Sequence, residues 1–166
     1  MNSTRQLVLD ALLIAITIAF KEVLSFLPNI EVVTLFLMIF TLNLSLKDSI
    51  LIALGYSLVE SLLYGINIYI ISYFMVWLII VFVTYLLRNK LNSYFKVAIL
   101  SFLYGLLFDI PFSLPFFMAS FKAGISYLLQ GVIFSIVHAL GNFIVAVILF
   151  DQLNHIFKTL LKRAKL

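Results

Sequence analysis

Apolar positions in this chain form long unbroken runs, and polar residues gather between them. The runs fall at 7–27, 32–46, 49–66, 69–87, 97–118 and 124–150. None alternates with period two, so the short alternating strands of a membrane barrel are excluded. Most are near the roughly 20 residues a helix needs to cross about 30 Å of hydrocarbon. The pattern predicts an all-α polytopic membrane protein with six transmembrane helices, built as a single integral membrane domain over 1–166. The second run is short for a bilayer. The fifth carries Pro111 and Pro115, which lack backbone donors and should kink or break it. The sixth is longer than one crossing requires, so it should tilt or extend beyond the membrane. In the first run, Asp10 interrupts the basic flank and no small-residue cleavage pattern precedes Lys21. A retained helix is therefore expected rather than a signal peptide.

Composition agrees with the pattern. Hydrophobic residues make up 64% of the 166 residues and charged residues only 11%. So few charges cannot cover the surface of a soluble domain. Cysteine is absent, which excludes disulfides and thiolate chemistry. The net charge of +4 matters less than its placement. With the N-terminus inside, Arg5, Lys47, Arg88, Lys90, Lys96, Lys158, Lys162, Arg163 and Lys165 fall on the cytoplasmic side. Only Lys21 and Lys122 fall outside. This bias predicts an even number of spans with both termini cytoplasmic. The basic residues lie between apolar runs, so no nucleic-acid partner is expected.

The acids then acquire meaning by depth. Asp10, Asp48 and Asp151 are expected at the cytoplasmic boundary, and Glu22 and Glu31 beside the first outer loop. Glu60 and Asp109 fall inside spans. There a charge costs about 2.5–3.5 kcal/mol on insertion scales, so it faces a cavity or a partner. Glu60, Tyr64 and Asn67 have helical spacing i, i+4, i+7 and are expected on one face. Gly131, Ser135, His138 and Asn142 make a second such face, with Gln130 beside it. Tyr69, Tyr73 and Trp77 descend from the outer end of the fourth span. Aromatic surface with a few fixed polar groups is the chemistry of a small-molecule pocket open to the outside.

Other readings stand beside this one. Tyr69 and Tyr73 also suit an interfacial aromatic belt. Glu60 also suits an ion pair with Lys21, His138 and Asn142 suit interhelical hydrogen bonding, and Asp109 suits capping donors freed by the proline kink. His138 and His155 are too far apart for a metal set, and no cofactor is expected. No glycine-rich phosphate loop or nucleophile motif occurs, so the chain is not expected to be an enzyme. Ala11, Ala15 and Ala19 form a small-residue stripe on the first helix, which lets another helix come close.

Three segments carry a family resemblance. ALLIAITIA at 11–19 has the Ala-x-x-x-Ala pattern, LPNIEVVTLF at 27–36 spans the first outer loop and second helix, and FSIVHALGNF at 134–143 lies in the last helix. With six spans and both ends inside, the chain resembles the substrate-binding S component of an energy-coupling factor (ECF) transporter over nearly its whole length. Ser135 departs from the subgroup, where aspartate is frequent, so no acidic role is carried over to it. The resemblance implies an outward-facing pocket for a vitamin or related micronutrient, using Glu60, Tyr64, Asn67, Tyr73, Trp77, Asp109, Gln130, His138 and Asn142. It implies a gating loop with Lys21, Glu22, Asn29 and Glu31. It also implies docking of Ala11, Ala15 and Ala19 on a partner module made of a transmembrane coupling protein and a pair of ABC-type ATPases, in a prokaryotic plasma membrane. Competing expectations are a self-sufficient secondary transporter with Glu60 or Asp109 as proton site, and a membrane scaffold without ligand. No internal repeat supports the former.

Overall fold

The computed structural model describes residues 3–27 and 29–163. Pro28, in the first-loop motif, and Lys165, in the basic tail, lie outside the described residues. The chain is all-helical, with α1 (Ser3–Val23), α2 (Val33–Asn43), α3 (Leu46–Tyr64), α4 (Ile70–Leu87), α5 (Tyr94–Leu107), α6 (Asp109–Ala119) and α7 (Phe121–Arg163). Three helical segments among the described residues are long and apolar enough to cross a membrane: Ile70–Leu87, Tyr94–Ala119 and Phe121–Arg163.

The second apolar run is an 11-residue helix rather than the longer 32–46 segment expected. At 1.5 Å per residue it is about 16 Å long, near half a hydrocarbon core. Its residues from Val33 to Thr41 are all buried. A helix apolar on every side belongs in the centre, and α2 packs against α1, α3, α4, α5 and α7. Its start is held by Glu31, whose carboxylate accepts the Thr34 N–H (3.0 Å) and the Thr34 hydroxyl. At its end, Asn43 Nδ2 donates to Ile39 O (2.7 Å) and to Asn154 Oδ1 of α7 (2.8 Å). Ser45 then caps α3: its Oγ accepts the Asp48 N–H (3.2 Å) and donates to Asp48 Oδ2 (2.6 Å). This reciprocal cap starts a new helix at Leu46.

The proline expectation is met with a specific geometry. The fifth apolar run breaks at Phe108, between α5 and α6. Pro115 has no N–H to offer the carbonyl four residues earlier. That carbonyl, Pro111 O, instead accepts a 2.8 Å hydrogen bond from the buried Ser72 hydroxyl of α4. A side chain on a neighbouring helix thus satisfies the group that proline leaves exposed. Both α5 and α6 lie along α7.

The sixth run continues well past residue 150. The 43 residues of α7 span about 65 Å. Leu153, Phe157 and Leu161 follow one helical stripe, and Phe157 packs on Phe40 at 5.2 Å between ring centroids. One end of the bundle gathers Arg88, Asp151 and Lys158 around a small cavity. Lys21, Glu22 and Tyr64 meet at another site, where α1 ends beside the end of α3. Asp10 lies two turns inside α1, 1% exposed, and accepts a 2.8 Å hydrogen bond from Gln6 Nε2.

Candidate ligand-binding site

A cavity of about 350 Å³ lies beneath the segment joining α1 to α2. Lys21, Leu24, Ser25, Leu27, Asn29, Ile30 and Glu31 line it from that side. Its walls are Tyr56 and Glu60 of α3, Tyr73 and Trp77 of α4, Phe108 at the α5–α6 break, and Phe134 and His138 of α7. Rings interlock around it. Trp77 meets Tyr56 edge-on at 5.4 Å and Phe108 at 5.6 Å, and His138 lies 4.7 Å from Phe108 and stacks on Phe134 at 5.8 Å.

The polar atoms in this aromatic box are arranged unequally. Glu60 is 3% exposed. Its Oε2 pairs with Lys21 Nζ at 3.2 Å, while its Oε1 has no hydrogen-bond partner within the protein. Trp77 Nε1 and His138 Nδ1 are likewise buried without partners. Asn142 sits one turn along α7, with its Nδ2 3.4 Å from His138 Nε2. The lining side chains thus carry one unpaired acceptor, Glu60 Oε1, one unpaired donor, Trp77 N–H, and an imidazole nitrogen, His138 Nδ1, that donates or accepts according to the tautomer. Buried polar groups are ordinarily hydrogen-bonded, and three unpaired atoms on side chains that line one cavity make it the candidate site.

The cover is tied down at both ends. Lys21 Nζ donates to Glu22 Oε1 (3.0 Å) and to Tyr64 Oη (2.7 Å), and the Tyr64 hydroxyl donates to Glu22 Oε1 (2.6 Å). Lys21 Nζ also lies 4.0 Å from the centre of the Tyr64 ring. Asn29 takes the left-handed conformation (φ 63°), which asparagine tolerates better than most residues. Its carbonyl rests against α7 at Gly141, where a β-carbon would stand 3.0 Å from Asn29 O.

The residues expected to share one pocket divide between two. Glu60, Tyr73, Trp77 and His138 line the covered cavity, whereas Asp109 and Gln130 line another of about 580 Å³ between α4, α6 and α7. Phe134 borders both. Asp109 Oδ2 accepts a 2.6 Å hydrogen bond from Ser135 Oγ of α7. Three expected contacts line neither cavity. Helix α3 stops at Tyr64, and Gly65 turns the chain with φ 85°, a conformation that favours glycine. Asn67 therefore leaves the Glu60 face, and its Oδ1 accepts the Tyr69 N–H (2.9 Å) before α4. Tyr64 is exposed and serves the Lys21 latch. Asn142 lies behind His138 and orients it. Glu31 lines the cavity while capping α2. Ala11, Ala15 and Ala19 are exposed on the outer face of α1. Sequence reasoning missed Tyr56, Phe108 and Phe134. Tyr56 and Phe134 each stand four residues before a polar site residue, Glu60 and His138, a spacing that places them one turn away.

Fold and cavity together define a class: an all-helical protein with membrane-length apolar segments and a covered, aromatic cavity holding unpaired polar atoms. Comparison with known protein families, curated proteins and solved structures finds no match to this chain.

Proposed function

We propose that this protein is the substrate-binding S component of an ECF-type importer, a six-span protein of a prokaryotic plasma membrane with both termini in the cytoplasm. The observation that carries the reading is the covered cavity in which Glu60 Oε1, Trp77 Nε1 and His138 Nδ1 lack partners. Three of the six unpaired buried side-chain atoms among the described residues belong to this one lining, a concentration that favours a ligand over a scaffold role. The ligand complementary to them is a flat, largely neutral ring system with a hydrogen-bond donor for Glu60 and an acceptor for Trp77, stacked among Tyr73, Trp77 and Phe108. A polyanion does not fit, because Lys21, the cation at the cavity, is already bonded to Glu22 and Glu60. Two further features support the reading. The exposed Ala11, Ala15 and Ala19 stripe suits close docking of a coupling protein, and the gathering of Arg88 and Lys158 at one end of the bundle suits a cytoplasmic face.

Energy coupling provides the test. In reconstituted vesicles, uptake of the compound that co-purifies with the protein should require the partner ATPases and ATP, and should persist when the proton gradient is collapsed. Gradient-driven accumulation by the purified chain alone, abolished in Glu60→Gln or Asp109→Asn, would overturn the proposal in favour of a secondary transporter.

A further inference from the structure

The larger cavity has a chemistry of its own. Tyr69 at the start of α4, Phe116 of α6 and Tyr127 and Phe134 of α7 form its aromatic wall, and Phe116 and Tyr127 stack at 4.4 Å. Its polar groups are Asp109, Ser126 and Gln130. No lysine or arginine among the described residues lines it; Lys122, in the first turn of α7, is exposed and is not part of the lining. Asp109 is 8% exposed. The ion pairs among the described residues are those of Lys21 with Glu22 and Glu60, so Asp109 has no counter-charge within ion-pair distance among them. Ser135 supplies it with one neutral hydrogen bond. A largely buried carboxylate with so little compensation, beside several ring faces, suits a positive charge: the carboxylate pairs with it and the rings stabilise it through their quadrupoles.

We propose that the cavity between α4, α6 and α7 is a second binding site, distinct from the covered cavity, that takes an organic ammonium group on Asp109 with its hydrocarbon or aryl portion against the Phe116–Tyr127 stack. The ammonium comes either from a free amine or from the amine headgroup of a lipid. In both cases Asp109 carries the charge recognition, and Phe134 separates this ligand from whatever occupies the space beside Trp77.

The experiment titrates the full-length protein, in lipid-free detergent micelles, with phenethylammonium and with its neutral isostere 2-phenylethanol. Calorimetry should show the ammonium binding about tenfold or more tighter than the alcohol, as expected for a hydrogen bond to a charged group. Asp109→Asn, which keeps an acceptor for Ser135, should remove that preference, while Glu60→Gln should leave it unchanged. Ala123→Phe fills the cavity without altering the Asp109–Ser135 bond and should block the probe, so the proposal does not depend on one variant folding. Nanodiscs distinguish the sources. Weaker probe binding in phosphatidylethanolamine than in phosphatidylglycerol discs supports a lipid headgroup, and equal binding supports a free amine. Absence of ammonium binding, equal affinity for the two probes, or equal loss in Glu60→Gln and Asp109→Asn would overturn the assignment.

Discussion

Removing Lys21 should damage this protein far more than removing its partner Glu60, although the same ion pair is lost each time. Glu60 is 3% exposed, and Lys21 Nζ, 3.2 Å away, is its only counter-charge within ion-pair distance among the described residues. Lys21→Met leaves a buried carboxylate without compensation, a loss of about 3–5 kcal/mol in buried pairs. Glu60→Gln leaves Lys21 its other carboxylate, Glu22 at 3.0 Å, and a side chain 22% exposed to solvent. Its cost should stay below about 1 kcal/mol, as for partly solvated pairs. Adding Glu60→Gln to Lys21→Met should therefore recover most of the loss, giving a coupling of at least about 2 kcal/mol in the double-mutant cycle. Trp77 is the single tryptophan and lies against Tyr56 in the cavity, so its fluorescence follows both unfolding in micelles and ligand binding. Ligand affinity should behave differently from stability. Glu60→Gln should weaken binding by about 10–150-fold, equivalent to about 1.5–3 kcal/mol for a hydrogen bond to a charged group. Equal destabilisation by the two single changes, additivity in the double, or wild-type affinity in Glu60→Gln would each refute the charge accounting.

Other changes probe other parts of the structure. Gly141→Leu pushes against the Asn29 carbonyl and should speed release of bound ligand by several-fold with little change in thermal stability, as read by stopped-flow dissociation. Ser72→Ala leaves the Pro111 carbonyl unpaired and should cost about 1–3 kcal/mol; unchanged unfolding would show that the broken helix does not need the bond. If α1 docks the proposed coupling protein, tryptophan at both Ala11 and Ala15 should abolish co-purification with it while the isolated chain binds ligand normally. Wild-type uptake by that double variant would remove the docking role from α1.

The all-helical architecture is legible because long unbroken apolar runs and proline chemistry leave few choices, whereas three rather than six segments among the described residues are long and apolar enough to cross a membrane. The break near Pro111 and the inward face of Ser135, His138 and Asn142 follow from local rules of spacing and backbone bonding. The end of α3 was also written in the sequence. Gly65 marks it, but extending helical periodicity past that glycine placed Asn67 on a face it never joins. The division of the site was not legible, since it depends on how α6 turns after Phe108 and sends Asp109 to Ser135 rather than toward Glu60. The C-terminal part of α7 was hidden by its polar residues. Leu153, Phe157 and Leu161 keep one apolar stripe through a segment whose average hydropathy resembles a solvated tail.

The uninterrupted length of α7 makes it a lever. His138 faces the cavity, and Arg163 lies 25 residues further along the same helix, about 38 Å away at 1.5 Å per residue. Each degree of tilt about His138 displaces that end by about 0.65 Å, with no hinge between to absorb it. The moving arm grips the rest of the protein at Asn154 with Asn43, and at Phe157 with Phe40. A rearrangement too small to notice around a bound ring would thus arrive as a displacement of several ångströms at the far end of the rod.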